Sequence, residues 1–131
     1  MNKLLTPKNL LIASGISSMA LGTLFYIVPS MIAKDTFPEE LLNNEGLRIA
    51  ELMQEALGTF LIAMGILLFS LRNVDKKSAR KAIIGLGFAS TAIFVGGILH
   101  LLKNDVHPPI PGIIVAGVIL LLSVVLLAQE H

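Results

Sequence analysis

Four apolar runs, at about 9–28, 47–71, 82–102 and 113–128, fill most of this 131-residue chain, and only short polar stretches separate them. A helix needs about 20 predominantly apolar residues to cross a hydrocarbon layer about 30 Å thick, and the runs match that requirement. Barrel strands are set aside because the runs lack a two-residue alternation, and an open sheet edge would leave backbone groups unsatisfied in lipid. The 54% hydrophobic content and mean hydropathy of +0.80 also belong to a membrane protein. The sequence therefore predicts an all-α fold, an integral membrane four-helix transmembrane bundle in which the whole chain is one domain.

Charge gives the orientation. The stretch between the second and third runs holds Arg72, Lys76, Lys77, Arg80 and Lys81 against Asp75, and the positive-inside rule assigns it to the cytoplasm. Lys3 and Lys8 precede the first run, whereas the connection after it sets Lys34 against Asp35, Glu39, Glu40 and Glu45. Both termini are thus expected on the cytoplasmic side of a bacterial inner membrane, with the lipid bilayer as the principal partner. Phe25 and Tyr26 fall where outer interfacial anchors belong. Ser18-Met19-Ala20 loosely resembles a signal-peptide cleavage site, but the apolar run continues to Val28, so this segment reads as a span.

A net charge of +1 gives no reason to expect a nucleic-acid partner. The absence of cysteine excludes thiol–disulfide chemistry, cysteine-held iron–sulfur clusters and thiolate zinc sites. Quinone-coupled disulfide-forming enzymes, which share this size and helix count, are excluded with them.

Two connections carry further local signals. Thr36-Phe37-Pro38-Glu39 has a capping residue, a first-turn proline and a Glu three positions on, which predicts a short helix starting at Thr36. Asn43, Asn44 and Gly46 would end it before the second span. His107-Pro108-Pro109-Ile110-Pro111 predicts an extended loop. Within the spans, Ser14, Ser18 and Gly22, Gly85 with Ala89, Ala92 with Gly96, and Gly112, Ala116 and Gly117 offer small-residue faces for packing within the chain, with a homo-oligomer as the alternative use.

One constellation is polar. At about 100° per residue, Arg48, Glu51, Glu55, Gly58 and Thr59 share an arc of about 100° near the outer end of the second span. His100 reaches the same level on the third span, with Asp105 and His107 just beyond and the proline loop as a lid. Arg48, Glu51, Glu55 and His100 are therefore the candidate ligand-binding residues. A purely structural explanation exists for part of the set, since Arg48 and Glu51 can pair at i,i+3. Glu51 and Glu55 at i,i+4 repel when both are charged, so Glu55 calls for a cation, a histidine or a proton beside it. No catalytic residue, metal or cofactor is assigned. The chain carries no HExxH, Walker loop, GxSxG elbow or EF-hand loop, and the spans hold only His100 where a bis-histidine haem needs two.

The chain resembles the DoxX-like group of small four-helix bacterial membrane proteins, many of them of unknown function. The resemblance lies in a first span ending at Pro29, in Glu55-Ala56-Leu57-Gly58 and Ala63-Met64-Gly65 within the second, and in Gly96-Gly97-Ile98-Leu99-His100 before a proline-containing loop. It implies a membrane subunit, in some relatives one linked to quinone-reducing systems, and it carries over no catalytic residue. Three functions follow as expectations. The first is a non-enzymatic protein that binds a small hydrophobic or amphipathic molecule in an outward-facing polar pocket, or serves as an accessory subunit. The second is a proton-coupled transporter acting as a dimer, with Glu55 as the carrier. The third is a membrane oxidoreductase or quinone-associated subunit using Glu55 and His100 as an acid–base pair.

Overall fold

A computed structural model describes residues 5–103 and 109–129. Lys3, Asp105, His107, Pro108 and His131 lie outside the described residues. Among the described residues five helices follow in order: α1 (Pro7–Ile27), α2 (Pro29–Thr36), α3 (Asn44–Ser70), α4 (Lys76–Lys103) and α5 (Ile110–Gln129), with single 3₁₀ turns at Glu39–Leu41 and Leu71–Asn73. Among the described residues there is no strand, and α1, α3, α4 and α5 are each long and apolar enough to span a membrane.

The helix ends follow side-chain chemistry. Thr6 caps α1 by accepting a hydrogen bond from the Asn9 N–H at 3.1 Å, and Pro7 occupies the first turn, where no intrahelical N–H partner is needed. Val28, pushed off the helical region by Pro29, separates α1 from α2. The short helix expected to begin at Thr36 instead begins at Pro29 and ends at Thr36, whose hydroxyl donates back to the Ile32 carbonyl at 2.7 Å. Phe37 is extended ahead of Pro38, so the proline that was read as a first-turn residue stops the helix. Asn43, expected as a terminator, is the N-cap of α3 and accepts from the Gly46 N–H at 2.8 Å. Gly46 packs so closely against the Leu41 carbonyl that no Cβ fits there. Ile110 and Pro111, expected in an extended loop, form the first turn of α5, with the Gly112 N–H bonded to the Pro109 carbonyl.

Burial departs from a soluble protein's in how many large apolar side chains face outward. Glycine, alanine and serine occupy many of the helix contacts, while Phe88 (75% exposed), Ile27 (70%) and Leu121 (63%) face outward. In lipid, large apolar side chains lose nothing by facing the solvent, and small residues let backbones approach.

The closest approach is between α1 and α3. A Cβ added at Gly22 would sit 2.5 Å from the Gly58 carbonyl oxygen and one at Gly58 would sit 2.6 Å from that of Gly22. Gly15 and Gly65 form a second reciprocal pair, at 2.8 and 2.6 Å. The two glycines on each helix are seven residues apart, so both pairs fall on one seam of an antiparallel pair. Between them the Ser18 hydroxyl donates across the seam to the Leu61 carbonyl at 2.8 Å.

α4 and α5 form a second antiparallel pair, in which the Phe94 ring covers Gly117 and the Ser123 side chain approaches Gly87. The two pairs join at the end carrying the Arg72–Lys81 connection, called here the basic end. Leu10 and Leu11 of α1, Ala79 and Ile83 of α4 and Leu126 of α5 form a buried cluster there, with Leu68 of α3 and Val74 packed against it. Arg72 lies 4.1 Å over the Phe69 ring and donates to the Phe69 carbonyl at 3.0 Å, closing the end of α3. Gly85 and Gly96 were expected to pack within the chain, yet a Cβ at either would meet nothing within 4 Å. Their α4 stripe faces outward because α5 takes the opposite side of the helix.

Candidate functional site

The sequence-predicted polar residues separate into three situations. Arg48 and Glu51, one turn apart on α3, pair at 3.5 Å with side chains 63% and 21% exposed. A pair this open contributes little to stability. Glu55 is half-buried a turn further along, and among the described residues no hydrogen bond or ion pair reaches its carboxylate. His100 is exposed near the end of α4. The helix carrying it packs mainly on α5, whereas α3 packs on α1 and α2.

The buried face of α3 runs through Ala50, Gln54, Gly58 and Gly65, so the predicted arc begins at its edge and turns outward. Its buried polar residue is Gln54, 6% exposed, whose Oε1 has no hydrogen-bond partner. Sequence reasoning passed over it because it is neutral. The available signal was its four-residue spacing from Ala50 and Gly58, both on the packing face.

Among the described residues, two of the clefts lie elsewhere, and neither of these is lined by Arg48, Glu51, Glu55 or His100. One, of about 180 Å³, sits under the 3₁₀ turn between Phe37 and the start of α3 and is bounded by Leu42, Ala50 and Met53. The other, of about 190 Å³, runs between α1 and α5 and is bounded by Leu10, Ser14 and Ser17 on one side and Val115, Val118 and Leu122 on the other. The joint at the basic end closes it below, and the approach of Leu21 to Gly112 narrows it above.

No protein-family model, curated protein or solved structure matches this chain. Function must therefore be argued from the site itself.

Among the residues lining the α1–α5 cleft, Ser14 and Ser17 are polar. Several hydroxyls within the helices are satisfied locally: Thr23, Thr59, Ser70, Thr91 and Ser123 each donate to the carbonyl four residues back at 2.8–3.0 Å. Ser14 is 1% exposed, and its Oγ has no partner. The four-residue spacing groups Ser14 with Ser18 and Gly22, but Ser14 is among the residues lining the cleft toward α5 while those two face α3. The Ser14 oxygen is therefore packed away behind the cleft wall.

Outside the spans, Asp75 caps α4 by accepting from the Ser78 N–H at 3.0 Å. Hydrogen bonding from the Ser78 hydroxyl and backbone holds its carboxyl below the ordinary value of 3.8. This acid serves the fold at the basic end.

Proposed function

We propose that the chain is a multi-pass protein of the bacterial cytoplasmic membrane, termini inside, which holds a small lipophilic or amphipathic molecule drawn from the bilayer and carries out no bond-making chemistry of its own. The α1–α5 cleft carries this reading. It lies within two apolar spans, it is open on one side, and its volume of about 190 Å³ exceeds the roughly 150 Å³ at which an engineered apolar cavity binds benzene. The basic stretch from Arg72 to Lys81 supports the orientation, because positive charge is retained on the cytoplasmic side. The resemblance to the DoxX-like group, read from the short motifs of the second and third spans, agrees with this reading.

Native mass spectrometry of the protein released gently from its own membrane tests it. A stoichiometric added mass is expected, and Val118→Trp, which fills the cleft from α5, should abolish it. A clean apo mass in both proteins would overturn the reading.

A second reading keeps Glu55 as a proton carrier in a dimeric transporter. The observation favouring it is a half-buried carboxylate with no partner among the described residues, in a region where an unpaired charge costs a few kcal/mol. Proton-driven uptake into vesicles that survives Glu55→Gln would end this second reading, since an amide cannot carry the proton.

A further inference from the structure

We infer that the outward face of α4 at the basic end binds one anionic glycerophospholipid, with its phosphate held by the Lys77 and Lys81 ammonium groups and an acyl chain in the notch at Gly85. The site is separate from the α1–α5 cleft and does not depend on what that cleft holds.

At about 100° per residue, Lys77, Lys81, Ile84, Gly85, Phe88 and Ala92 fall within an arc of about 100°. All six are exposed, whereas Ala79, Ile83 and Ser90, on the opposite side of the helix, are buried. The cations and the bare apolar surface therefore form one continuous strip. α4 has 28 residues, and about 20 suffice to cross the hydrocarbon layer, so its first turns reach into the headgroup layer. Lys77 and Lys81 stand about 6 Å apart along the axis there, with Gly85 one turn deeper.

Both cations are uncommitted. Among the described residues no hydrogen bond or ion pair engages either of them. Asp75, the single acid between Arg72 and Lys81, is held by the Ser78 N–H at 3.0 Å. The positive-inside rule accounts for the number of cations at this end, but not for two of them aligned on the bare face of α4. A lipid phosphate supplies the missing countercharge and accepts hydrogen bonds from both ammonium groups. Below it, a Cβ at Gly85 would meet nothing within 4 Å, and Phe88, 75% exposed, forms a wall beside that notch for an acyl chain.

A second copy of the chain is the rival occupant of a helix face with small residues, and charge decides against it. Copies inserted in the same direction pair about a two-fold axis along the membrane normal, so the strip would face itself. Lys77 and Lys81 would then meet their own counterparts, and like charges repel.

The test titrates the full chain, delipidated in a nonionic detergent, with phosphatidylglycerol and with phosphatidylcholine of the same acyl chains, and reads bound lipid by native mass spectrometry. Phosphatidylglycerol is expected to bind about thirtyfold more tightly, roughly fivefold for each of two cations. The Lys77→Gln, Lys81→Gln protein should lose that preference. The Lys8→Gln, Lys34→Gln protein, which removes the same charge away from α4, should keep it. Gly85→Leu should weaken both lipids alike, about twofold to threefold, because its side chain takes the acyl chain's place. Equal binding of the two lipids by the native protein, or an equal loss of preference in the two double variants, would overturn the site. Displacement of phosphatidylglycerol by an equal concentration of glycerol phosphate would show a site for free phosphate rather than for lipid. Unchanged binding in Gly85→Leu would remove the acyl chain from the notch, and a lipid-free dimer weakened by that change would give the face to a second copy.

Discussion

α1 makes two long contacts that differ in kind. Against α3 it lays backbone on backbone, with Gly15 facing Gly65, Gly22 facing Gly58 and Ser18 bonded across to Leu61. Against α5 it meets side chains at both ends and leaves about 190 Å³ between them. Both surfaces draw on small residues of α1, so the composition of α1 alone does not separate them. Reciprocity does: glycine on one helix stands opposite glycine on the other in the α1–α3 seam, whereas a Cβ added at Gly112 of α5 would meet only the tip of Leu21, at 3.9 Å. Lipid supplies no hydrophobic drive to close the second contact, so the space persists unless side chains fill it.

The largest effect that sharpens this contrast should come from the seam. Gly58→Leu drives a side chain into the Gly22 carbonyl, and neither backbone can yield without separating the helices. A loss of about 3 kcal/mol is expected in reversible unfolding in detergent, at the upper end of overpacking costs. The same change at Gly85, which meets nothing, should stay within about 0.5 kcal/mol. Equal effects at the two sites would dissolve the distinction between an occupied and an open small-residue face.

An intermediate effect belongs to the joint between the two helix pairs. Ile83 is fully buried among Leu10, Leu11 and Leu126. Ile83→Ala should cost about 1–2 kcal/mol by the same measurement, below the range for water-soluble cores, because the cavity term survives in lipid while the transfer term largely vanishes. A smaller change is expected for Ser18→Ala, about 0.6–1.5 kcal/mol, for loss of the hydrogen bond to Leu61.

The smallest effect lies outside the spans and depends on pH. The folded Asp75 carboxyl titrates below its ordinary value of 3.8, so its contribution is complete above that value and is lost as pH falls through the lowered one. Thermal unfolding followed from pH 6 downward should show this loss in the native protein and a flatter profile in Asp75→Asn. An identical profile would remove the cap from the list of stabilising contacts.

The spans were legible in sequence because hydropathy reports them directly, and their ends were less so. Asn43 and Gly46 look alike whether they close one helix or open the next, and only the bond from the Gly46 N–H to the Asn43 side chain decides. Pro38 misled for a related reason, since a proline suits a first turn and a stop equally well. Around the polar cluster, the i,i+3 pairing of Arg48 with Glu51 was readable and forms at 3.5 Å. What the arc could not supply was its phase against the rest of the fold. Gln54 and Gly58 mark the buried direction, and Arg48 and Thr59 fall outside it. Ser14 was visible as a small residue, but no spacing rule encodes that its hydroxyl is buried without a hydrogen-bond partner.

Because the chain has no native cysteine, paired cysteines introduced on α1 and its neighbours give the most direct measurement of seam against cleft. In native membranes, the Ser18→Cys, Leu61→Cys protein should close a disulfide within one chain on mild oxidation. The Ser17→Cys, Val118→Cys protein, with its pair on the walls of the cleft, should resist oxidation and link only through a spacer-bearing bismaleimide. Disulfide formation across the cleft as fast as across the seam would mean that α1 lies flat on α5, with no space there for a ligand.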